Sequence, residues 1–339
     1  MSAAATATSG LALIEAEIRR QHVDALASFA GAELSAARIA KSARQTGRLL
    51  LIGMGGSHFV NRVAEPVYRS LGLDATAIVA SEILAQPLPD RPRSSILTSQ
   101  SGASGEILQL LERPPGQEAR FGLTMGADSP LAQALPCLIG VGGVERGFAA
   151  TRSLLISLAL HAAVASALGQ SSAEALAMLR TPPAPSVDEA LAQLVGCKTF
   201  IVSGRGELAG LAECGALCLM ELARVPAMAL EGGQFRHGPL EVLSPDVGVI
   251  LLRPAGPMAA SAAALASICI EAGSRPVVFD VSGEAPLSGA LTLALSRLRG
   301  LTAAIAILPA LQQLLIRIAT ARVKRVGEPL RSTKITGAE

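Results

Sequence analysis

Apolar positions fall into two rhythms along the chain, and their alternation predicts the fold. Between residues 11 and 43 they recur at helical spacing, with Leu13, Ile14, Ile18, Val23, Leu26 and Phe29 marking one face. Leu49, Leu50, Leu51 and Ile52 then form a continuous run closed by Gly53. A short unbroken apolar run ending at a glycine is the pattern of a strand buried on both faces, as in a parallel sheet. Similar runs lie at 75–80, 95–98, 121–124 and 137–141, with helical patterns between them. The alternation predicts an α/β fold, a doubly wound parallel sheet flanked by helices.

Prolines interrupt the pattern at Thr181-Pro182-Pro183-Ala184-Pro185. Prolines this dense fit neither a helix interior nor a central strand, so residues 179–187 read as a linker. The pattern then restarts. A run at 199–203 ends in Gly204-Arg205-Gly206, echoing Ile52-Gly53-Met54-Gly55 about 150 residues earlier, a domain-sized repeat. Runs at 247–252, 276–279 and 290–295 follow. The chain thus reads as two copies of one α/β unit. An N-terminal helical segment covers 1–35, a first domain 36–178, a second domain 188–325 and a polar tail 326–339. The first ten residues, small and polar, are expected to fray. Residues 301–316 are apolar but broken by Pro309, Gln312 and Gln313 and closed by Arg317, which reads as a buried helix rather than a membrane span.

Composition narrows the function classes. With 339 residues, half of them hydrophobic, the chain can bury two cores. Its 29 Lys and Arg against 27 Asp and Glu leave a net charge of +2, so no extensive nucleic-acid footprint is expected. Aromatics at 2% argue against base-stacking platforms. Five scattered cysteines (Cys137, Cys197, Cys214, Cys218, Cys269) form neither a disulfide framework nor a zinc motif, which fits a reducing compartment. His22, His58, His161 and His237 lack metal-ligand spacing; neither a metal nor a cofactor is expected. No signal-peptide pattern opens the chain, and the expectation is a cytoplasmic protein without membrane contact.

The clearest candidate for chemistry is Thr98-Ser99-Gln100-Ser101-Gly102-Ala103-Ser104-Gly105-Glu106, just past a predicted strand and opening a predicted helix. Hydroxyls, free N–H groups and a helix N-terminus there make a phosphate cradle without Lys or Arg. Ordinary turn and cap residues account for the same letters equally well. Gly53-Met54-Gly55-Gly56-Ser57 is neither GxGxxG nor a Walker loop, but it would lie beside the serine loop with Ser57 in the same crevice. In the second half neither Gly204-Arg205-Gly206 nor Arg253-Pro254-Ala255-Gly256 brings a hydroxyl cluster, which suggests one sugar-phosphate site per chain. Glu221 stands alone in an apolar stretch. Burial would raise its pKa toward a useful base, although an exposed position on a polar stripe is the plainer reading. His237, within Arg236-His237-Gly238-Pro239, could exchange protons near neutral pH or serve as a surface residue. Lys334 in the polar tail is by itself an ordinary solvated charge.

Together these residues resemble the sugar isomerase (SIS) family, in its double-SIS form, from about Glu17 to Lys334. The resemblance rests on Ser99-Gln100-Ser101-Gly102-x-Ser104, on Glu145-Arg146-Gly147-Phe148-Ala149-Ala150-Thr151-Arg152, on Arg236-His237-Gly238-Pro239 and on the tail ending at Lys334. It implies two tandem SIS domains. It implies that Ser57, Ser99, Gln100, Ser101 and Ser104 bind the substrate phosphate, with Gly55, Gly56, Ala149 and Ala150 in the pocket. It further implies that Glu221 moves a proton between C1 and C2, that His237 opens the sugar ring from the partner subunit of a homodimer, and that Lys334 forms a Schiff base with the open ketose. Three departures stand out. Cys218 replaces a lysine near the catalytic Glu, Ala150 replaces a pocket serine, and no glutaminase domain or N-terminal cysteine nucleophile precedes the pair.

The reading that follows is an enzyme interconverting glucosamine 6-phosphate and fructose 6-phosphate plus ammonia. A deglycase of phosphorylated sugar–amino acid adducts would use the same proton shuttle, with Cys218 and Met220 suiting a less polar amine pocket. A sugar-phosphate sensor is the non-enzymatic alternative.

Overall fold

A computed structural model describes residues 9–335 of the chain. Residues 1–8, on which most of the expected fraying falls, and residues 336–339 lie outside the described part. Ser9 and Gly10 already belong to an ordered helix start: the Ser9 hydroxyl accepts from the Ala12 N–H at 3.2 Å and caps α1 (Gly10–Gly31).

Ten parallel strands form two five-stranded sheets. The first contains β1 (Arg48–Gly53), β2 (Asp74–Val79), β3 (Arg93–Thr98), β4 (Glu118–Thr124) and β5 (Cys137–Ile139), in the spatial order β2-β1-β3-β4-β5. The second contains β6 (Thr199–Gly204), β7 (Ala227–Glu231), β8 (Val247–Arg253), β9 (Val277–Asp280) and β10 (Leu291–Ala294), in the order β10-β9-β8-β6-β7. Read from β7, this is the first order repeated, so the echo in the sequence is a repeat of topology. The unbroken apolar runs are the buried strands: Leu49 to Gly53 and all of β8 are buried along their length. β7 was not expected from the sequence. It is a short edge strand, Ala-Met-Ala-Leu-Glu, without a β-branched or aromatic residue.

The single helical pattern over 11–43 is divided at Ala32 into α1 and α2 (Glu33–Thr46), which closes at Gly47 with φ +67. α1 packs on α7 (Arg152–Ala167). α3 (Gly55–Ser70) from the first half packs on α10 (Glu207–Cys218) from the second. Gly210 makes that crossing close, since a Cβ there would lie 2.6 Å from the Phe59 carbonyl oxygen. α12 (Gly300–Arg322) is long and apolar enough to cross a bilayer, yet 83% of its most apolar window is buried. It packs on α3, α7, α10, α8 (Ala173–Arg180) and α9 (Asp188–Leu194). Residues 181–187 have no regular secondary structure. One hydrophobic core nevertheless runs through Val60 and Val63, Leu208 and Leu211, and Leu308 and Leu315, so the halves on either side are packed together.

Candidate active site

In a sheet of this order the connections leaving β1 and β3 pass to opposite faces, and a crevice opens beyond their carboxyl ends. β1 leads through Met54 into α3. β3 leads through residues 99–104 into α5 (Gly105–Glu112). A cavity of about 360 Å³ lies there, lined by Gly55, Gly56 and Ser57 on one side and by Thr98 to Ser101 and Ser104 on another. The first-turn N–H groups of both helices lack intrahelical acceptors, so two positive helix ends face the space. Gly56 permits close packing: a Cβ would sit 3.3 Å from the Ala150 Cβ.

The serine loop is held by its own hydroxyls. Ser99 Oγ lies 2.9 Å from Ser104 Oγ and accepts from the Gly102 N–H at 3.1 Å. Ser101 Oγ accepts from the Ala103 N–H at 3.2 Å. Gly102 adopts φ +66, and a Cβ there would fall 2.0 Å from Ser129 Oγ. Two buried polar atoms that lack partners belong to residues lining the cavity, Nε2 of Gln100 and Oε2 of Glu106. Beneath the loop, Thr98 Oγ1 donates to Asn61 Oδ1 at 3.0 Å, and His161 Nε2 lies 3.3 Å from the same oxygen. Burial pushes His161 down to about 3, so its ring is neutral, and its Nδ1 lies 2.9 Å from the Tyr68 hydroxyl.

Glu221 lines this cavity from the other half of the chain. It sits on a π-helical turn (Leu219–Ala223) that extends α10, an irregularity frequent at functional sites. Burial pushes its carboxyl up to about 7; Lys334 opposes that rise and the Glu145 carboxylate adds to it. Lys334 reaches in from the tail, its Nζ donating to the Phe148 carbonyl at 3.2 Å and lying 3.5 Å from Glu145 Oε2. Glu145 is fully buried at the N-terminus of α7. Its Oε1 accepts from the Thr151 and Arg152 N–H groups at 2.9 and 2.8 Å and from Thr151 Oγ1 at 2.8 Å; its Oε2 accepts from Ser153 Oγ at 2.5 Å.

The structure therefore brings Gly55, Gly56, Ser57, Ser99, Gln100, Ser101, Ser104, Ala150, Glu221 and Lys334 to one cavity. Glu221 is not on an exposed polar stripe. Ala149 is buried but does not line the cavity, and neither does Cys218, whose neighbour Leu217 does. His237 is exposed after a 3-10 turn (Gln234–Arg236), outside the cavity of its own chain. Sequence reasoning missed the roles of Glu145 and Glu106. A carboxylate six residues before an apolar helix opening in Thr-Arg-Ser was the available signal for Glu145.

The corresponding mouth of the second sheet is closed. Only about 10 Å³ remains beside Ser203 and Gly204. Arg253, at the end of β8, is buried and donates to Asp280 Oδ2 at 2.8 Å and to the Ala285 carbonyl at 2.9 Å. Arg205 is turned to Glu231. Among the described residues no group of three or more His, Cys, Asp or Glu could hold a metal ion.

No family model matches the sequence. The glutamine–fructose-6-phosphate aminotransferase [isomerizing] of Rhizobium meliloti is 27% identical over 228 residues, 61% of this chain and 36% of that protein. Its namesake from Zymomonas mobilis is 27% identical over 235 residues, 63% and 39% of the two chains. The matches span little more than a third of the length of these relatives. Among solved structures, the C-terminal domain of glucosamine-fructose-6-phosphate aminotransferase from Francisella tularensis superposes with a TM-score of 0.81 at 17% identity, over 91% of this chain and 96% of that one. Glucosamine-6-phosphate deaminase from Thermotoga maritima gives 0.76 at 20% identity over 95% and 99%. Tagatose-6-phosphate ketose/aldose isomerase from Escherichia coli gives 0.76 at 19% identity over 94% and 95%. The homologues are thus the isomerase (SIS) half of the aminotransferases, as the motifs led us to expect.

Proposed function

We propose that this chain, built from two tandem SIS domains, is an enzyme acting on a hexose or amino-sugar 6-phosphate, and that it interconverts glucosamine 6-phosphate and fructose 6-phosphate plus ammonia. One observation carries the reading. A half-buried carboxylate poised at about 7, Glu221, shares a cavity with a neutral anion cradle and a lysine. Ser57, Ser99, Gln100, Ser101 and Ser104 with the ends of α3 and α5 would hold the phosphate. The C1–C2 end of the open sugar would then meet Glu221.

In the deaminating direction Glu221 takes the proton from C2 of the open-chain amino aldose, and the electron pair moves toward the aldehyde oxygen. Return of the proton to C1 leaves an imine at C2. Water adds to that carbon, the C2–N bond breaks, and ammonia leaves with the ketose. Lys334 can take the place of water as the first nucleophile, forming a Schiff base that water later hydrolyses. A carboxylate with a pKa near the working pH suits both halves of this shuttle. Lys334 is the one lysine among the described residues that line the cavity. Ring opening would be done by His237 of a second copy in a homodimer, since His237 is outside its own chain's cavity.

Ammonia release from glucosamine 6-phosphate, and its loss by two or more orders of magnitude in Glu221→Gln, tests the reading. Absence of both deamination and C1–C2 proton exchange in the native protein overturns it.

A further inference from the structure

Thr98, Asn61, His161 and Tyr68 form a buried polar chain under the cavity, each 1% exposed or less, and the reaction written above uses none of them. Asn61 and Tyr68 lie about two turns apart on α3. His161 lies on α7, about one turn beyond Ser157 of the cavity wall. Thr98 ends β3 and is the register partner of Gly53, which ends β1. A Cβ at Gly53 would come 3.1 Å from Asn61 Nδ2. Asn61 therefore sits where the two strands part, beneath both the turn that leads to Ser57 and the loop that leads to Ser104.

The hydrogens in this chain run in one direction. Asn61 Oδ1 can only accept, and it takes the Thr98 hydroxyl proton at 3.0 Å. His161 Nε2, 3.3 Å from the same oxygen, must then carry the ring proton. The ring is neutral, so Nδ1 is bare and accepts from the Tyr68 hydroxyl at 2.9 Å. Tyr68 thus fixes the tautomer of His161, His161 fixes the amide of Asn61, and the amide fixes Thr98. Apolar side chains would fill the same space without polar groups to desolvate. What the polar chain adds is a single permitted arrangement of the elements it joins.

We propose that Asn61, oriented by His161 and Tyr68, is a positioning residue for the phosphate cradle: it ties α3 to the end of β3 and so sets Ser57 against loop 99–104. This rests on the reading of that loop as the phosphate site and adds groups that reading does not use. Asn61, His161 and Tyr68 do not line the cavity, so each acts through Thr98 and not on the ligand. A cradle of neutral donors holds a dianion only when its hydrogen bonds converge, which requires placement to about 0.5 Å.

The test measures fructose 6-phosphate binding to the full chain by calorimetry. Asn61→Leu replaces the amide with an apolar group of similar size and should bind at least tenfold more weakly. Thr98→Val should match it, while Thr98→Ser, which keeps the hydroxyl, should stay within twofold of the native protein. Adding Thr98→Val to Asn61→Leu should cost less than a further twofold, because both changes break the same bond. Tyr68→Phe, remote from the ligand, should weaken binding three- to fivefold. Should Asn61→Leu fail to fold, Tyr68→Phe and the two Thr98 variants carry the comparison. In the native protein labelled with 15N-histidine, the His161 signals, identified by their absence from His161→Gln, should show a protonated Nε2 and a bare Nδ1. A group that only supported the fold would leave binding unchanged in every folded variant. Unchanged binding in folded Asn61→Leu or Tyr68→Phe, independent losses in the double variant, or a protonated Nδ1 overturns the positioning role and leaves the phosphate site standing. A native protein that does not bind fructose 6-phosphate overturns both.

Discussion

Lys334 Nζ stands 3.5 Å from Glu145 Oε2, which joins the tail of the chain to a carboxylate with no exposure to solvent. Glu145 does not depend on this contact, because backbone and hydroxyl donors at the start of α7 already satisfy it. Lys334 depends on it more, having one carbonyl as its other partner. The asymmetry predicts different outcomes at the two ends. Lys334→Ala should cost little stability, about 1 kcal/mol or less, because Glu145 stays hydrogen-bonded. Glu145→Ala should cost about 3 kcal/mol, since it strands buried N–H groups at the head of α7. Both should lose activity. Denaturant midpoints separate them.

The Glu221 carboxyl near 7 gives a pH limb with a definite sign. As a base it must be ionised, so kcat/KM should fall about tenfold per pH unit below that value. Stability runs the other way. Between about 4.5 and 7 the folded state holds this proton and the unfolded state releases it, so rising pH weakens the fold across that window, by on the order of 2–3 kcal/mol. Glu221→Gln should remove both limbs. Kinetics and urea titrations at pH 4.5, 6 and 7.5 check this.

Gly102 is the position where the proposed phosphate cradle tolerates least. Gly102→Ala puts a methyl group into Ser129 and forces a side chain into φ +66. We expect binding of fructose 6-phosphate, measured by calorimetry, to weaken by more than tenfold, with stability lowered by about 2 kcal/mol. Ser99→Ala should be milder, weakening binding by about tenfold through loss of one hydroxyl that bonds both Gly102 and Ser104.

His237 can be tested without knowing the assembly in advance. If it serves the cavity of a second copy, Glu221→Gln and His237→Ala chains are each inactive alone but complement when mixed. Half of the randomly paired dimers are mixed and each carries one intact site, so about a quarter of native activity returns. Persistent inactivity of the mixture is the opposing result.

Much of the fold was legible from the chain because parallel strands buried on both faces are largely apolar, with a few buried polar positions such as Ser94 and Ser95 in β3. Leu49 to Ile52 and residues 247–252 could hardly be anything else. The repeat was legible for the same reason, with glycines at the end of each first strand. What escaped notice lacked that pressure. β7 lies at an edge, where Ala227, Met228 and Glu231 suffice, though Pro226 and Gly232 bracket it. The break at Ala32 leaves no mark in apolar spacing, since α1 and α2 each keep a helical face. The serine loop could be placed beside the Gly55–Ser57 turn, since both follow buried strands. The duty of Glu145 could not be read, since one carboxylate ahead of a helix has the same letters whether it caps or anchors. His237 shows the remaining limit: the motif is plain, but its place relative to the cavity is a matter of tertiary arrangement.

The buried Arg253–Asp280 pair stops up the second sheet where the first lies open. A repeated architecture is thereby relieved of symmetry. In the proposed reaction the sealed copy is masonry, a backing that aims Glu221 at a guest it never grips, while the open copy does the gripping. On that reading, whatever mutations the backing accumulates will be judged by how steadily it points, and the specificity of the proposed catalyst can drift on one side of the molecule without unsettling the other.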